Sequence, residues 1–133
     1  RKILSDSFGS VCPAAHPLAD TSPVTIADID GFSFIANGLC TQISDARFQT
    51  ILKSATLTVH NTGSLLTLVR GGVGVTILPR LAVLPQSEDL VFLPIDTTPA
   101  SRDVYLFTPK TDLQTPATKA MVQTILDAEL QGF

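Results

Sequence analysis

The chain has 133 residues, 44% of them hydrophobic and only 16% charged, with a formal net charge of −3. That length fits one domain able to bury a real core, and the charge content lies below the roughly 25% usual for soluble domains. Cations stand singly (Lys53, Arg70, Arg80, Arg102, Lys110, Lys119) apart from Arg1-Lys2, which excludes a nucleic-acid-binding face on this piece alone, and no apolar run reaches the roughly 18 residues of a membrane span.

In chain order, Ile3 to Val11 reads as a strand running into Cys12-Pro13, and Pro13, Pro17 and Pro23 then break regular structure. Thr25 to Asp30 is a short helical turn ended by Gly31, and Phe32 to Ala36 a short strand. Asn37-Gly38-Leu39-Cys40 is a tight turn by its Asn-Gly pair. Ser44 is a cap for the next helix, with Asp45 in the first turn and Phe48, Ile51 and Leu52 on the apolar face. Ala55 to His60 is the following strand. Asn61, Thr62 and Ser64 can each cap the helix carrying Leu65, Leu68 and Val69. Gly71 and Gly72 supply a left-handed stop, and Val73 to Leu78 is a β-branched buried strand closed by Pro79.

Beyond Pro79, Arg80 to Leu84 is a brief helical piece stopped by Pro85, and Gln86 to Asp89 a polar turn. Leu90 to Ile95 is a strand bent by Pro94. Asp103 to Thr108 is a strand with Val104 and Leu106 on one face, Tyr105 and Phe107 on the other. Thr115 caps and Pro116 opens a last helix lined by Ala117, Met121, Ile125 and Ala128 and ended by Gly132. The alternation of strands and helices predicts an α/β fold with an open, mostly parallel sheet and helices on both faces. The scarcity of surface charge predicts that part of the surface is normally covered by a missing segment or a partner subunit.

Three stretches, taken in order, carry a family resemblance. Val11-Cys12-Pro13-Ala14-Ala15-His16-Pro17-Leu18-Ala19 resembles a strand followed by a His-Pro-Leu crossover. Ile29 to Ile35 resembles a short helix and strand. Leu65-x-x-Leu68-Val69-Arg70-Gly71-Gly72-Val73-Gly74-Val75-Thr76-Ile77-Leu78-Pro79 is similar to a "lxxlVxxGxGvxxlP" signature. Together they resemble the effector-binding domain of LysR-type transcriptional regulators. The resemblance implies a type II periplasmic-binding-protein-like fold of two α/β subdomains joined by crossing strands, with an effector between them. It places residues 13–101 in the second subdomain, and residues 1–12 and 102–133 in the crossover strands and C-terminal helix of the first. The rest of the first subdomain and the DNA-binding winged helix-turn-helix are expected to be absent from this chain.

A ligand site is expected at two places. The helix start at Thr62-Gly63-Ser64 presents free backbone N–H groups and a positive dipole end suited to a carboxylate. The turn Asn37-Gly38-Leu39-Cys40 stands where a strand of a parallel sheet ends, which is where ligands are met; Gly38 allows close backbone approach and Asn37 offers a donor and an acceptor. The resemblance assigns effector contacts to both places. Against this stand plain structural roles: Thr62 or Ser64 capping its own helix, the turn as a surface turn, and Cys40 as a bystander. His16 is expected to be a structural hinge residue; His60, ending a strand beside the helix start, is expected at the surface or as a cap, with sensing of ligand charge or pH as the functional alternative.

No catalytic constellation is present. Gly-x-Ser-x-Gly is absent, the glycine cluster follows a helix where a phosphate loop needs the reverse, and Asp28, Asp30 and Asp45 have no metal-ligand spacing to His or Cys. Cys12 and Cys40 match no zinc or redox motif. Expected, then, is a non-enzymatic, ligand-sensing regulatory domain with no cofactor and no metal. It would be cytoplasmic and away from membranes, taking a small-molecule effector such as a small carboxylate and working as a homodimer or homotetramer. DNA contact would come only through the absent N-terminal domain. The helices at Ser44–Ser54 and Ser64–Gly71 are candidates for the subunit interface. The alternative is a periplasmic solute-binding protein of the same fold.

Overall fold

The computed structural model describes residues 1–21, 23–83 and 89–128. Its spine is β1 (Lys2–Pro13), a 12-residue strand. The first half pairs antiparallel with β6 (Ser101–Tyr105), from Lys2↔Tyr105 to Ser7↔Ser101. The second half lies between β4 (Thr76–Pro79) and β5 (Leu90–Pro94), antiparallel to both, with Phe8↔Pro79 and Gly9↔Pro94 in register. Beyond β4, a parallel bridge Phe34↔Val75 leads to β2 (Ile35–Ala36), which pairs in parallel with β3 (Leu57–Thr58). The order across the sheet is therefore β3, β2, β4, β1, β5. All but β1 share one direction, so the mostly parallel sheet expected from the alternation is present with a single reversed strand inserted.

Alternation along the strands sends side chains to two cores, one on each face. Phe34, Ala36, Val75, Ile77, Leu93 and Ile95 meet α1 (Ile26–Asp30) and α2 (Ala46–Ser54) around Ile26, Ile29, Phe48 and Ile51. Ile35, Leu78 and Leu90 meet Leu65, Leu66 and Val69 of α3 (Thr62–Arg70) on the opposite face. The apolar faces of α2 and α3 are thus consumed by the cores, and their outward residues (Arg47, Thr50, Lys53; Gly63, Ser64, Thr67) are polar or small. The two-sided sheet leaves no second apolar stripe on either helix.

Several boundaries shift for local reasons. Asp45, not Ser44, caps α2, its carboxylate accepting the Arg47 N–H, because the Ser44 hydroxyl donates to the Thr98 carbonyl at 3.3 Å. Asn61 caps α3. At the α3 stop only Gly72 has positive φ (79°), Gly71 remaining right-handed. Val73 is exposed, outside the strand. Gly74 is required by close approach: a Cβ there would stand 2.7 Å from the Ser33 carbonyl oxygen. Arg80–Ala82 is a 3-10 turn; the expected stop at Leu84-Pro85 and the polar turn from Gln86 lie outside the described residues, and the last helix, expected to run to Gly132, stops at Asp127, where the extended backbone of Ala128 ends it. The Asn37 turn is the start of a 3-10 helix, Gly38–Gln42.

The last elements behave differently. The helix α4 (Pro116–Asp127) is capped by Thr115 and opened by Pro116 as the sequence predicts, but contains no buried residue. The β6 alternation is present, yet Tyr105 and Phe107 face outward, Phe107 at 87% exposure, and Met121 is likewise exposed.

Candidate functional site

The parallel strands end on one edge of the sheet: β2 at Asn37, β3 before His60, β4 at Arg80 and β5 at Ile95. The two predicted sites, far apart in sequence, meet there. A Cβ on Gly38 would lie 3.4 Å from the His60 Nδ1, and the Val59 N–H donates to the Ala36 carbonyl at 2.8 Å. The Asn37–Cys40 turn and the start of α3 are therefore adjacent on that edge.

Their residues divide by what they have left to offer. The Asn37 side chain is buried and fully engaged. Its Nδ2 donates to Thr76 Oγ1 at 2.9 Å and to the Ile77 carbonyl at 3.0 Å, and its Oδ1 accepts the Leu39 N–H at 2.9 Å. Thr76 Oγ1 in turn donates to the Ile35 carbonyl at 2.8 Å. Asn37 thus ties the end of β2 to the middle of β4. Cys40, 2% exposed, sits in the core beside α2, and burial pushes its thiol up to about 11 against a smaller opposing contribution from the Asn37 backbone. Burial thus disfavours the thiolate form, and the side chain packs in the core beneath the turn. Leu39 is half-buried against the α3 core.

At the start of α3 the Asn61 Oδ1 accepts the Ser64 N–H at 2.9 Å. Helix geometry leaves the Thr62 and Gly63 N–H groups without an intrahelical acceptor. The Gly63 carbonyl accepts the Thr67 hydroxyl at 2.9 Å. Gly38, Gly63 and Ser64 are exposed and Thr62 half-exposed. This edge can hydrogen-bond an anionic or carbonyl oxygen through two backbone donors and two hydroxyls, aided by the helix dipole. Among the described residues no group of three His, Cys, Asp or Glu is arranged to hold a metal. No helix of the described residues is long and apolar enough to cross a membrane.

Sequence reasoning missed two features of the same edge. Asp6 and Arg102, from opposite ends of the chain, form an ion pair at 3.1 Å next to the Arg80–Ala82 turn; only β1–β6 pairing brings them together. Asp45 and Arg47 pair at 2.8 Å beside Asp96. The spacing of that pair was visible, its proximity to the end of β5 was not. A groove of about 330 Å³ between α1 and α2, lined by residues including Thr25, Asp30 and Arg47, contains none of the predicted site residues. His16 is structural as expected: its Nδ1 accepts the Leu18 N–H at 3.0 Å and its ring meets Phe32 edge-on.

The chain is similar in structure to the Synechocystis PCC6803 CcmR regulatory domain in complex with 2-PG, with a TM-score of 0.74 at 16% identity over 98% of this chain and 67% of that one. The effector-binding domain of QuiR in complex with shikimate gives 0.69 at 24% identity over 94% and 62%. A reduced form of OxyR from N. meningitidis gives 0.68 at 19% identity over 98% and 63%. The chain thus spans about two thirds of the length of these domains. No curated protein matches. The family model of the LysR substrate binding domain matches residues 1–129, so the chain belongs to the LysR substrate-binding-domain family.

Proposed function

We propose that this chain is the ligand-sensing part of a LysR-type transcriptional regulator, binding a small effector at the sheet edge formed by Gly38, Leu39, Thr62, Gly63 and Ser64. The observation that carries the reading is the convergence of the Gly38 backbone and the uncapped N–H groups of α3 at the carboxyl ends of parallel strands, within a chain matched by this family over residues 1–129. Asn37 and Cys40 act from beneath: one holds the turn, the other packs it. Solved relatives bound to 2-PG and to shikimate support an oxygen-rich, anionic effector, and a small carboxylate fits the donors here.

In this reading residues 13–101 are the second subdomain, residues 1–12 and 102–133 belong to the first, and the opposite wall of the cleft is supplied by the rest of the first subdomain. The outward Tyr105, Phe107 and Met121 are the surface that this segment covers. Effector affinity that differs between two arrangements of a homodimer or homotetramer would reset a DNA-binding domain elsewhere in the protein, and the regulator would work in the cytoplasm. The solute-binding alternative shares the fold, but the family match favours the regulator.

The test is a thermal-shift and calorimetric screen of the natural full-length protein against small carboxylates and phosphorylated acids, followed by Gly38→Ala and Ser64→Ala. The Ser64 hydroxyl is not the helix cap and a Gly38 Cβ meets only His60, so both variants should fold. Each is expected to weaken the effector about tenfold, roughly 1.4 kcal/mol. Unchanged affinity in both would remove the ligand from this edge.

A further inference from the structure

The carboxylate of Asp6 is 0% exposed, and its two oxygens serve two different parts of the molecule. Oδ2 accepts from the Arg102 Nε at 3.1 Å, across the β1–β6 ladder. Oδ1 accepts the Leu81 N–H at 3.0 Å, from the turn that follows β4. Asp6 stands at the joint of the spine strand: Ser7 is the last residue of β1 registered with β6, and Phe8 the first registered with β4. On one side of the joint is an arm made of the first half of β1 with β6; on the other is the main sheet with its helices.

A buried ion pair contributes little net stability compared with well-packed apolar residues of similar size, because desolvation offsets the attraction. Direction is what a carboxylate adds here. With one oxygen held by the arm and the other by the main sheet, rotation at the Ser7–Phe8 joint stretches one of the two hydrogen bonds. One backbone hydrogen bond also spans the joint, the Phe8 N–H donating to the Ala100 carbonyl at 3.0 Å, but a single such bond lets the strand twist about it, whereas the two oxygens of Asp6 hold both sides. Removing either contact would leave a buried charge half-satisfied, so the arrangement favours one angle over neighbouring ones.

We infer that Asp6, with Arg102 and the Leu81 N–H, is a hinge latch that sets the resting angle between the β1–β6 arm and the main sheet. The inference rests on the reading of this edge as an inter-subdomain cleft, since the latch sits at the base of that edge and its angle would set the opening. Asp6 acts here as a positioning residue, touching no ligand itself.

The experiment is a distance measurement by pulsed electron spin resonance on the natural full-length protein without effector. Spin labels go on Lys53→Cys in α2 and Lys2→Cys in the arm half of β1, both exposed, while Cys12 and Cys40 are buried. Asp6→Asn is expected to move or broaden the single distance peak. Arg102→Lys, which keeps the charge and so suits the case where Asp6→Asn fails to fold, is expected to do the same to a smaller degree. A merely structural Asp6 would lower the unfolding midpoint and leave the distance distribution of the folded protein unchanged, and that result in either folded variant overturns the latch. Effector titration of the same samples separates the two readings. A moved distribution supports the latch whether or not effector binds, and an unmoved one defeats it even where effector binding is intact.

Discussion

Asn37 shows how far a residue's role can differ from its local signature. Its neighbour Gly38 marks a turn, and the turn is there, but the amide reaches residues 39 and 40 positions away. Asn37→Ala would leave the Leu39 N–H and the Ile77 carbonyl without this partner in a buried place. Unsatisfied buried groups cost about 1–3 kcal/mol each, and partial relaxation leaves an expected destabilisation of roughly 2–3 kcal/mol. Urea denaturation of Asn37→Ala checks this; a midpoint unchanged from the parent would mean that water replaces the amide. The signal available in the sequence was Thr76, a hydroxyl inside an otherwise apolar buried run. Its partner could not be named without knowing that β2 lies beside β4.

Among the elements, α2 was legible from the spacing of Phe48, Ile51 and Leu52, and its entry was not. Two residues with capping side chains stand side by side, and the tertiary contact of Ser44 with Thr98 decides between them. The Asp45 carboxyl is held down to about 2, chiefly by the hydrogen bond from the Arg47 side chain, with burial opposing. Since an unfolded Asp titrates near 4, the folded state binds its proton less readily. The stabilisation is therefore complete above about pH 4 and disappears as the pH falls toward 2. Asp45→Asn is expected to flatten the acid limb of stability in that window, read as denaturation midpoint against pH. An acid limb identical to the parent's would show that Arg47 does not hold the carboxylate in solution.

At the scale of the whole molecule the cores are unequal. Both faces of the main sheet are covered by helices, whereas in α4 Val122, Ile125 and Leu126 are only half-buried and Phe107 stands in solvent. Local stability follows buried contact, so in this chain the amides of α4 should exchange with deuterium well ahead of those of β4, measured by mass spectrometry of peptic fragments. Equal protection of the two would mean that α4 is held by contacts beyond those of the described residues.

The sequence by itself determined most of the element list, the two-sided α/β layering and the family, because periodicity, caps and glycine stops are local or short-range signals. Only the tertiary structure decided that β1 runs against its neighbours, that Asn37 and Cys40 are buried while Gly38 and the start of α3 face outward, and that Asp6 meets Arg102. Those outcomes depend on which strands become neighbours. Pairing across a sheet joins residues from distant parts of the chain, and no window of the sequence contains both partners.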